Sequence, residues 1–541
     1  MGCFRRVVLL YLSDEQYAVQ ELVDRRATSS YYTSKDGIAV IREFVKLIDD
    51  REGIVLADPF MGSGVTLSSV NDLVRPSKVI GIEINREPCE LGRRILSSLY
   101  TNVEVVCGDA FKVAWRYRAD LVITNPPFVR WSLLNKGYRE ELLRIMEEMG
   151  YGSLISRRDP GLHILSFFLI DGMLRDGGYV ITVMPASALY TSQGEGLRRL
   201  LKARYQVLGI VENKRGPSFS VGSGFKELIL FLRKRGAGDS VVNERTVIYR
   251  WDGKLSSIGS VNLHALPRFA DRNWLSLFNI DIANKLIEII EYGLETGLLR
   301  YLGRDEIVRG VEMYGPDFFF LPNRHWSIVG RDGDYVIIRN SDGRRLSIHR
   351  KYLVECLRKP EYYNYEVEIR DPGFYALAIN DDPEGDLRRY IEWGERQGVP
   401  ALKFGRHWYR HVWRQLQSKR PYGHIFIHDK LDLERHGVLA NYSQKPLCAS
   451  KNFYIVRTNN PLIAAWYNST LMRLFLKVFS RKISEKWTRF LEEDYLAIPV
   501  PTETIEKIDF RNIDKTIEDY LCKDKKCRDT LKELTKAFKE G

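Results

Sequence analysis

Residues 53–66 read GIVLADPFMGSGVT, an apolar run that passes into a glycine-rich turn. The run predicts a buried strand, and the residues that follow Gly64 predict a helix. Gly62 and Gly64 remove side chains where the backbone must turn sharply and approach a ligand closely. The turn lacks the glycine spacing of a dinucleotide fingerprint and the lysine of a phosphate-binding loop, so it does not predict ATP binding.

Apolar runs alternate with amphipathic segments on both sides of this turn, from about residue 31 to residue 234. The seven runs are residues 53–57, 78–84, 103–106, 120–124, 178–184, 207–212 and 227–232. This alternation predicts a doubly wound α/β domain with a mostly parallel, seven-stranded sheet. A break rich in glycine and charge, RKRGAGDS (233–240), marks the predicted end of the domain.

The chain has 541 residues, enough for about two to four domains. We predict an N-terminal extension at 1–30, the α/β domain at 31–240 and a connector at 241–300. Residues 301–541 have short irregular strands, many aromatic residues and several helical runs. They predict a separate α+β domain that ends in charged helices.

The composition indicates what kind of partner and which cellular compartment to expect. Lys and Arg number 82 against 70 Asp and Glu, and this excess of +12 favours a polyanionic partner. The seven cysteines are scattered without a CxxC pair, which predicts no metal site, no disulfide framework, reduced thiols and a cytoplasmic location. We expect no membrane segment, because the apolar run after Arg6 is too short and the run at 162–170 is closed by Asp171.

Acidic residues follow the second and third predicted strands. Glu83 lies 25 residues after Asp58, a spacing typical of the carboxylate that holds ribose hydroxyls in nucleotide-binding units. Asp109 follows the third strand in the sequence CGDAF and is placed to accept a hydrogen bond from an adenine amino group. Each also has an ordinary interpretation as a solvated carboxylate at a strand end.

The fourth predicted strand runs directly into Asn125-Pro126-Pro127-Phe128. Two consecutive prolines fix φ near −65° and end the strand abruptly. The Pro126 carbonyl and the Asn125 amide oxygen then provide two fixed acceptors beside one aromatic ring. That combination suits a flipped base with an exocyclic amine.

The order DPFMGSG, GIEIN, GDA and NPPF resembles the S-adenosylmethionine-dependent N6-adenine DNA methyltransferases of the gamma arrangement, of the type II restriction–modification kind. The resemblance implies a Rossmann-like methyltransferase domain at 31–240, a C-terminal target-recognition domain within 301–541, and S-adenosylmethionine as cofactor. Upstream, Tyr32-Thr33-Ser34 resembles the first motif of the family, with Ser34 in place of its usual proline. The cofactor-binding residues that the resemblance implies are Thr33, Asp58, Phe60, Gly62, Gly64, Glu83, Asp109 and Ala110.

The resemblance also implies the catalytic residues, which are Asn125, Pro126, Pro127 and Phe128. Base flipping would place the adenine between aromatic rings. Phe128 is one of the two stacking candidates, and Phe219 in GPSFSVGSGFKELILFLRK (216–234) is the other, with Phe225 as the alternative to Phe219.

A basic segment in the C-terminal half provides evidence that is independent of the family. No carboxylate occurs between Glu395 and Asp429, whereas cations and aromatic residues alternate there. Uncompensated cations are typical of phosphate contacts. The DNA-binding candidates are Arg406, Trp408, Arg410, Arg414, Lys419 and Arg420.

Double-stranded DNA is therefore the expected partner, with a monomer or weak dimer as the expected state. A separately encoded restriction endonuclease is a further possible partner, because the chain has no nuclease motif. Two alternatives stay open: an RNA methyltransferase that acts on an exocyclic amine, and an inactive DNA-binding specificity or defence subunit. N4 of cytosine stays open as a second target atom.

Overall fold

The computed structural model describes residues 32–156, 159–241, 244–433, 437–480 and 488–540. The predicted extension at 1–30 lies outside these ranges. The chain divides into a first unit, 1–266 with 270–284, and a second unit, 267–269 with 285–541. In the described residues, no helix combines the length and the apolar character needed to cross a membrane.

The first unit is built on one large mixed sheet. Its strands are β1 (Val55–Asp58), β2 (Lys78–Glu83), β3 (Val103–Cys107), β4 (Ala119–Thr124), β5 (Leu174–Pro185), β6 (Tyr205–Asn213), β7 (Glu227–Lys234), β8 (Thr246–Trp251) and β9 (Leu255–Val261). The strand order is β3-β2-β1-β4-β5-β7-β6-β8-β9. Pairing is parallel from β3 to β5 and between β6 and β8, and antiparallel elsewhere.

Helices lie before, between and after the strands of this sheet. They are α1 (Lys35–Lys46), α2 (Val65–Ser68), α3 (Arg86–Leu99), α4 (Ala110–Val113), α5 (Lys136–Glu148), α6 (Leu162–Met173) and α7 (Glu195–Arg204), and α8 (Ile280–Glu295) carries residues of both units. The strand order reverses between β1 and β4. In open α/β sheets, ligands bind outside the carboxyl ends of the strands at such a reversal.

All seven predicted strands are present, but the sheet does not end at residue 240. The predicted boundary is wrong because β8 continues the sheet beside β6, with Gly209 opposite Val247 and Asn213 opposite Trp251. The glycine-rich break at 233–240 is a connection between strands. The sheet therefore has nine strands instead of the expected seven, and the expected connector at 241–300 contains two of them. Among the described strands, five of the eight pairings are parallel, so the sheet is mostly parallel as expected.

The second unit is α+β, as the irregular strands and helical runs predict. Its helices are α9 (Pro316–Phe319), α10 (Gly385–Arg396), α11 (His411–Lys419), α12 (Pro461–Asn468), α13 (Thr470–Phe479), α14 (Glu492–Ala497), α15 (Ile513–Leu521) and α16 (Lys525–Glu540). Its strands are β10 (Leu299–Tyr301), β11 (Ile307–Arg309), β12 (Phe320–Leu321), β13 (Trp326–Asp332), β14 (Tyr335–Asn340), β15 (Arg345–His349), β16 (Leu353–Leu357), β17 (Tyr375–Leu377), β18 (Tyr422–His428), β19 (Lys430–Leu431), β20 (Ala440–Ala449), β21 (Phe453–Val456), β22 (Thr488–Arg489) and β23 (Pro499–Pro501). The main sheet has the order β11-β21-β18-β20-β16-β17-β12, and β13-β14-β15 form a separate three-stranded sheet.

Six of the seven cysteines form disulfides, and Cys3 lies outside the described residues. The pairs are Cys89–Cys107, Cys356–Cys448 and Cys522–Cys527. The expectation of reduced thiols is therefore wrong for these six residues. Spacing along the chain did not indicate the pairs, because two of them join positions 18 and 92 residues apart. The cytoplasmic location stays a prediction, without the support it drew from reduced thiols.

Candidate active site

Asp58, the last residue of β1, is the centre of a buried hydrogen-bond network. The Thr66 hydroxyl donates to its Oδ2 at 2.5 Å, and the Thr124 hydroxyl donates to Oδ1 at 2.6 Å. The Phe60 amide also donates to Oδ1, at 2.9 Å. Asp58 is 1% exposed. Burial raises the pKa of this carboxyl to about 6, although the three donors act in the opposite direction.

The glycine-rich turn after β1 is tied to the end of β2. The Gly62 amide donates to Glu83 Oε2 at 3.0 Å. Gly62 has φ +55° and Gly64 has φ +80°, a region that residues with a Cβ adopt rarely. A Cβ on Gly62 would lie 2.5 Å from the Tyr32 ring, so glycine lets that ring lie against the turn.

Glu83 lies at the carboxyl end of β2, as the sequence predicts. The Asn85 amide and the Asn85 side chain donate to its Oε1 at 2.7 and 2.8 Å. Burial raises the pKa of Glu83, against the effect of these hydrogen bonds. The next residue, Ile84, is 63% exposed although it is apolar. The end of β2 therefore combines a buried carboxylate with an exposed apolar side chain.

Asp109 caps the short helix α4, which begins at Ala110. Its Oδ1 accepts from the Phe111 amide at 3.0 Å, and its Oδ2 accepts from the Tyr138 hydroxyl at 3.0 Å. Burial, together with the adjacent carboxylate, raises the pKa of Tyr138. The Cys89–Cys107 disulfide joins α3 to the end of β3, two residues before Asp109. The loop that carries Asp109 is therefore anchored at both ends.

Asn125, Pro126, Pro127 and Phe128 follow β4, next to β1 at the reversal of the strand order. Asn125 is 8% exposed, and its Nδ2 donates to the Ser220 hydroxyl at 3.0 Å. This bond orients the amide. Phe128 is buried edge-to-face against His163, with ring centroids 6.3 Å apart. Burial lowers the pKa of His163 to about 4, so this imidazole is neutral at neutral pH.

The first motif and the segment before β7 lie against each other. The Ser34 amide donates to the Phe219 carbonyl at 2.7 Å, and the Val221 amide donates to the Tyr32 carbonyl at 2.8 Å. Thr33 and Ser220 form the β-bridge between these bonds. Ser220 thus connects the Thr33 segment to Asn125. The predicted residues come from five separate stretches of sequence, and they meet at one edge of the sheet. These stretches contain Thr33, Asp58, Glu83, Asp109 and Asn125.

Phe219 and Phe225 differ in accessibility. Phe219 is 0% exposed and belongs to the core of the first unit, where its amide donates to Glu227 Oε2 at 2.8 Å. No part of its ring is exposed, which is evidence against the preference for Phe219 as a stacking residue. Phe128 belongs to the same buried cluster but is 8% exposed. Phe225 lies six residues after Phe219 and is 43% exposed.

The predicted DNA-binding residues of the basic segment also differ in exposure. Arg406, Arg414, Lys419 and Arg420 are exposed. Trp408 is 2% exposed and packs on Phe318 with ring centroids 4.6 Å apart, so it belongs to the core and cannot contact DNA as predicted. Arg410 Nη2 lies 2.7 Å from Asp382 Oδ1, a carboxylate outside the acid-free segment.

Several residues of the site could not be predicted from the sequence. Thr66, Thr124 and Ser220 have short hydroxyl side chains with no spacing signal, and Tyr138 reaches Asp109 from a different helix.

Comparison with known proteins bears on the first unit. Residues 16–253 match the family model described as N-6 DNA Methylase. The match covers less than half of the chain, and it contains all the motifs that carry the resemblance. A search of the curated proteins gave no match.

Solved structures give weak likenesses. The type IIG restriction endonuclease BpuSI is 13% identical with a TM-score of 0.40, covering 95% of this chain and 66% of that one. A protein described as a modification subunit of a type I restriction enzyme from Vibrio vulnificus YJ016 is 19% identical with a TM-score of 0.34, covering 44% and 51%. A protein described as a class I S-adenosylmethionine-dependent methyltransferase from Listeria monocytogenes is 14% identical with a TM-score of 0.34, covering 40% and 65%. The chain spans between half and two thirds of these proteins, and the likenesses assign no activity.

Proposed function

We propose that the chain is a DNA methyltransferase that transfers a methyl group from S-adenosylmethionine to N6 of an adenine flipped out of the duplex. The observation that carries the proposal is the position of Asn125-Pro126-Pro127-Phe128. The motif follows β4 beside the Asp58 network, where open α/β sheets bind ligands. The family match over residues 16–253 supports the same chemistry.

The residues around the glycine-rich turn fit S-adenosylmethionine. Glu83 Oε2 accepts one hydrogen bond, from Gly62, and an ionised carboxylate oxygen has room for a second donor such as a ribose hydroxyl. The exposed Ile84 side chain offers an apolar surface to an adenine ring. Asp109 lies beyond it, next to the amide of Gly108, which donates to the Glu83 carbonyl at 2.9 Å. Thr33, Phe60, Gly64 and Ala110 complete the proposed cofactor set.

Bound S-adenosylmethionine would supply a methyl group already activated on a sulfonium. The remaining difficulty is the nucleophile, because the N6 lone pair of adenine is delocalised into the ring. Asn125 Oδ1 and the Pro126 carbonyl would accept the two N6 hydrogens and draw the nitrogen toward a tetrahedral geometry. Positive charge that develops on N6 is then stabilised by two acceptors already in place. The bond from Asn125 Nδ2 to Ser220 holds the amide oxygen in that orientation.

Stacking would hold the flipped base. Phe128, fixed against His163, provides one ring, and we assign the second ring to the exposed Phe225 instead of the buried Phe219. Each stacking contact contributes about 1–3 kcal/mol. In the second unit, which we propose as the target-recognition domain, the exposed Arg406, Arg414, Lys419 and Arg420 would contact DNA phosphates.

The test uses the full chain with radiolabelled S-adenosylmethionine and either duplex DNA or tRNA. We expect methyl incorporation into DNA only, and nucleoside analysis should identify N6-methyladenine. Asn125→Ala should lower transfer by at least about 100-fold, because removing one transition-state hydrogen bond costs about that much. Its dissociation constant for the cofactor, measured by calorimetry, should stay within about twofold.

Asn102→Ala is the matched control, since Asn102 is an exposed asparagine that donates to the Ser77 carbonyl before β3. It should leave transfer unchanged. If methyl groups were incorporated into tRNA alone, the substrate would be RNA and not DNA. Cofactor binding without transfer to either polymer would favour the inactive subunit, and N4-methylcytosine would change the target atom. Loss of cofactor binding in Asn125→Ala would refute the catalytic role of Asn125.

A further inference from the structure

The three-stranded sheet β13-β14-β15 in the second unit has two different faces. The inner face is apolar and buried, and its residues belong to the core of this unit: Trp326, Val336, Ile338, Leu346 and Ile348. The outer face carries Ser327, Tyr335, Ile337, Arg339, Arg345, Ser347 and His349, and both of these arginines are exposed. Sequence reasoning did not single out this sheet.

Two arginines face each other on the outer face. Arg339 on β14 is the register partner of Arg345 on β15, and on its other side it pairs with Ser327 of β13. Side chains at such positions have Cβ atoms about 4.5–5.5 Å apart, and like charges placed there destabilise a sheet. In the part of the chain that the structure describes, neither guanidinium has a carboxylate within 4.0 Å. Asp342 in the intervening turn instead accepts from Asn340 Nδ2 at 3.2 Å.

Two arginines on the neighbouring helix, unlike those on the sheet, have carboxylate partners. Arg388 and Arg389 lie on α10, which packs against β15, and each has an acidic partner. Arg388 Nε lies 3.4 Å from Glu392, and Arg389 Nη1 lies 3.0 Å from Asp386. Arg388 and Arg389 are therefore compensated by carboxylates on their own helix, whereas, among the described residues, Arg339 and Arg345 are not. An external anion between Arg339 and Arg345 would offset their repulsion.

We infer that the outer face of β13-β14-β15 binds the phosphate backbone of duplex DNA through Arg339 and Arg345. The inference rests on the proposed function, which supplies DNA as the polyanion. Guanidinium groups match phosphate oxygens in a bidentate geometry, and the neighbouring serine hydroxyls add donors for the same backbone. Antiparallel strands are an established element for docking on duplex DNA. This surface is separate in sequence from the basic segment at 396–420.

The experiment measures binding of the full chain to a fluorescein-labelled 30-base-pair duplex by anisotropy, between 0.05 and 0.25 M salt (about the range where phosphate contacts are resolved). Each phosphate contact contributes about 0.9 to the slope of log affinity against log salt. Arg339→Ala with Arg345→Ala should therefore lower the slope by about 2. At 0.1 M salt, replacing each arginine by alanine should weaken binding by about tenfold. Arg339→Lys with Arg345→Lys should retain the slope, because the charges remain.

Arg388→Ala is the control, since it removes an exposed arginine from the helix packed on the same sheet. It should leave slope and affinity unchanged. The inference is overturned if the double alanine variant keeps the wild-type slope, or if only duplex RNA binding weakens. The melting curve of each variant, measured by differential scanning fluorimetry, reports whether the fold is intact. If the wild type binds duplex DNA with the expected slope but methylates nothing, the proposed function fails while this surface stands. If the wild type methylates DNA and the variant slope is unchanged, this surface alone fails.

Discussion

Replacing Asp58 by asparagine should stabilise the chain at neutral pH and not in acid. The carboxyl is 1% exposed, and burial raises its pKa from an ordinary value of 3.8 to about 6. A shift of about two units corresponds to about 3 kcal/mol of unfavourable free energy for the ionised, folded form. Below about pH 3 the acid is protonated in both states and the penalty is absent. It grows as pH rises to 6 and is complete above that value.

Asparagine cannot ionise and keeps an acceptor oxygen for one of the two threonine hydroxyls. The melting temperature of Asp58→Asn minus that of the wild type should therefore rise between pH 4 and pH 6.5 and then level off. A gain of about 3 kcal/mol corresponds to about 6–12 °C for a unit of roughly 250 residues. Differential scanning fluorimetry at half-unit steps of pH measures this difference directly. The buried His163 makes stability rise with pH, because its pKa is lowered. His163 is present in both proteins, so its effect cancels when the wild-type melting temperature is subtracted from that of the variant.

Asp72→Asn is the control with the opposite sign. The hydrogen bond from Arg42 lowers the pKa of Asp72, so ionisation of Asp72 favours the folded state. This variant should lose stability relative to the wild type as pH rises from acid to neutral. A flat difference for Asp58→Asn between pH 4 and 7.5, or one that falls as for Asp72→Asn, would refute the assignment of a buried, ionisable Asp58.

Two further predictions concern the loops around the site. Cys89→Ser breaks the disulfide to Cys107, which closes an 18-residue segment, and should cost about 3 kcal/mol in the absence of reductant. The melting temperatures of this variant and the wild type should converge under dithiothreitol, and a persistent difference would assign the loss to packing of the Cys89 side chain. Phe225→Ala should lower the initial rate of DNA methylation at subsaturating DNA with unchanged cofactor affinity, whereas Phe225→Tyr keeps the ring and should retain the rate. If Phe225→Ala methylates like the wild type, the ring does not stack on the base.

The sequence was sufficient to place the candidate residues that lie at or just after the ends of strands. Asp58, Glu83, Asp109 and Asn125 follow directly from apolar runs, because a run that ends in a polar residue places that residue at the carboxyl end of a strand. Parallel strands then bring these ends to one edge of the sheet.

The burial of individual side chains could not be predicted from the sequence. Phe219 and Trp408 stand among polar and basic neighbours, and nothing in the local pattern distinguishes them from exposed aromatic residues such as Phe225. Their burial is decided by partners far along the chain, including Phe318 for Trp408. The same holds for the disulfide between Cys356 and Cys448, which join strands 92 residues apart.

The hairpin formed by β8 and β9 has a consequence for anyone who shortens this chain. A fragment cut at residue 240 would lose the partner of β6 and present a row of bare amide and carbonyl groups from Gly209 to Asn213. Such an edge invites a second molecule to add its own strand and leads to aggregation. An expressible catalytic fragment therefore has to retain residues 246–261, although no motif lies within them.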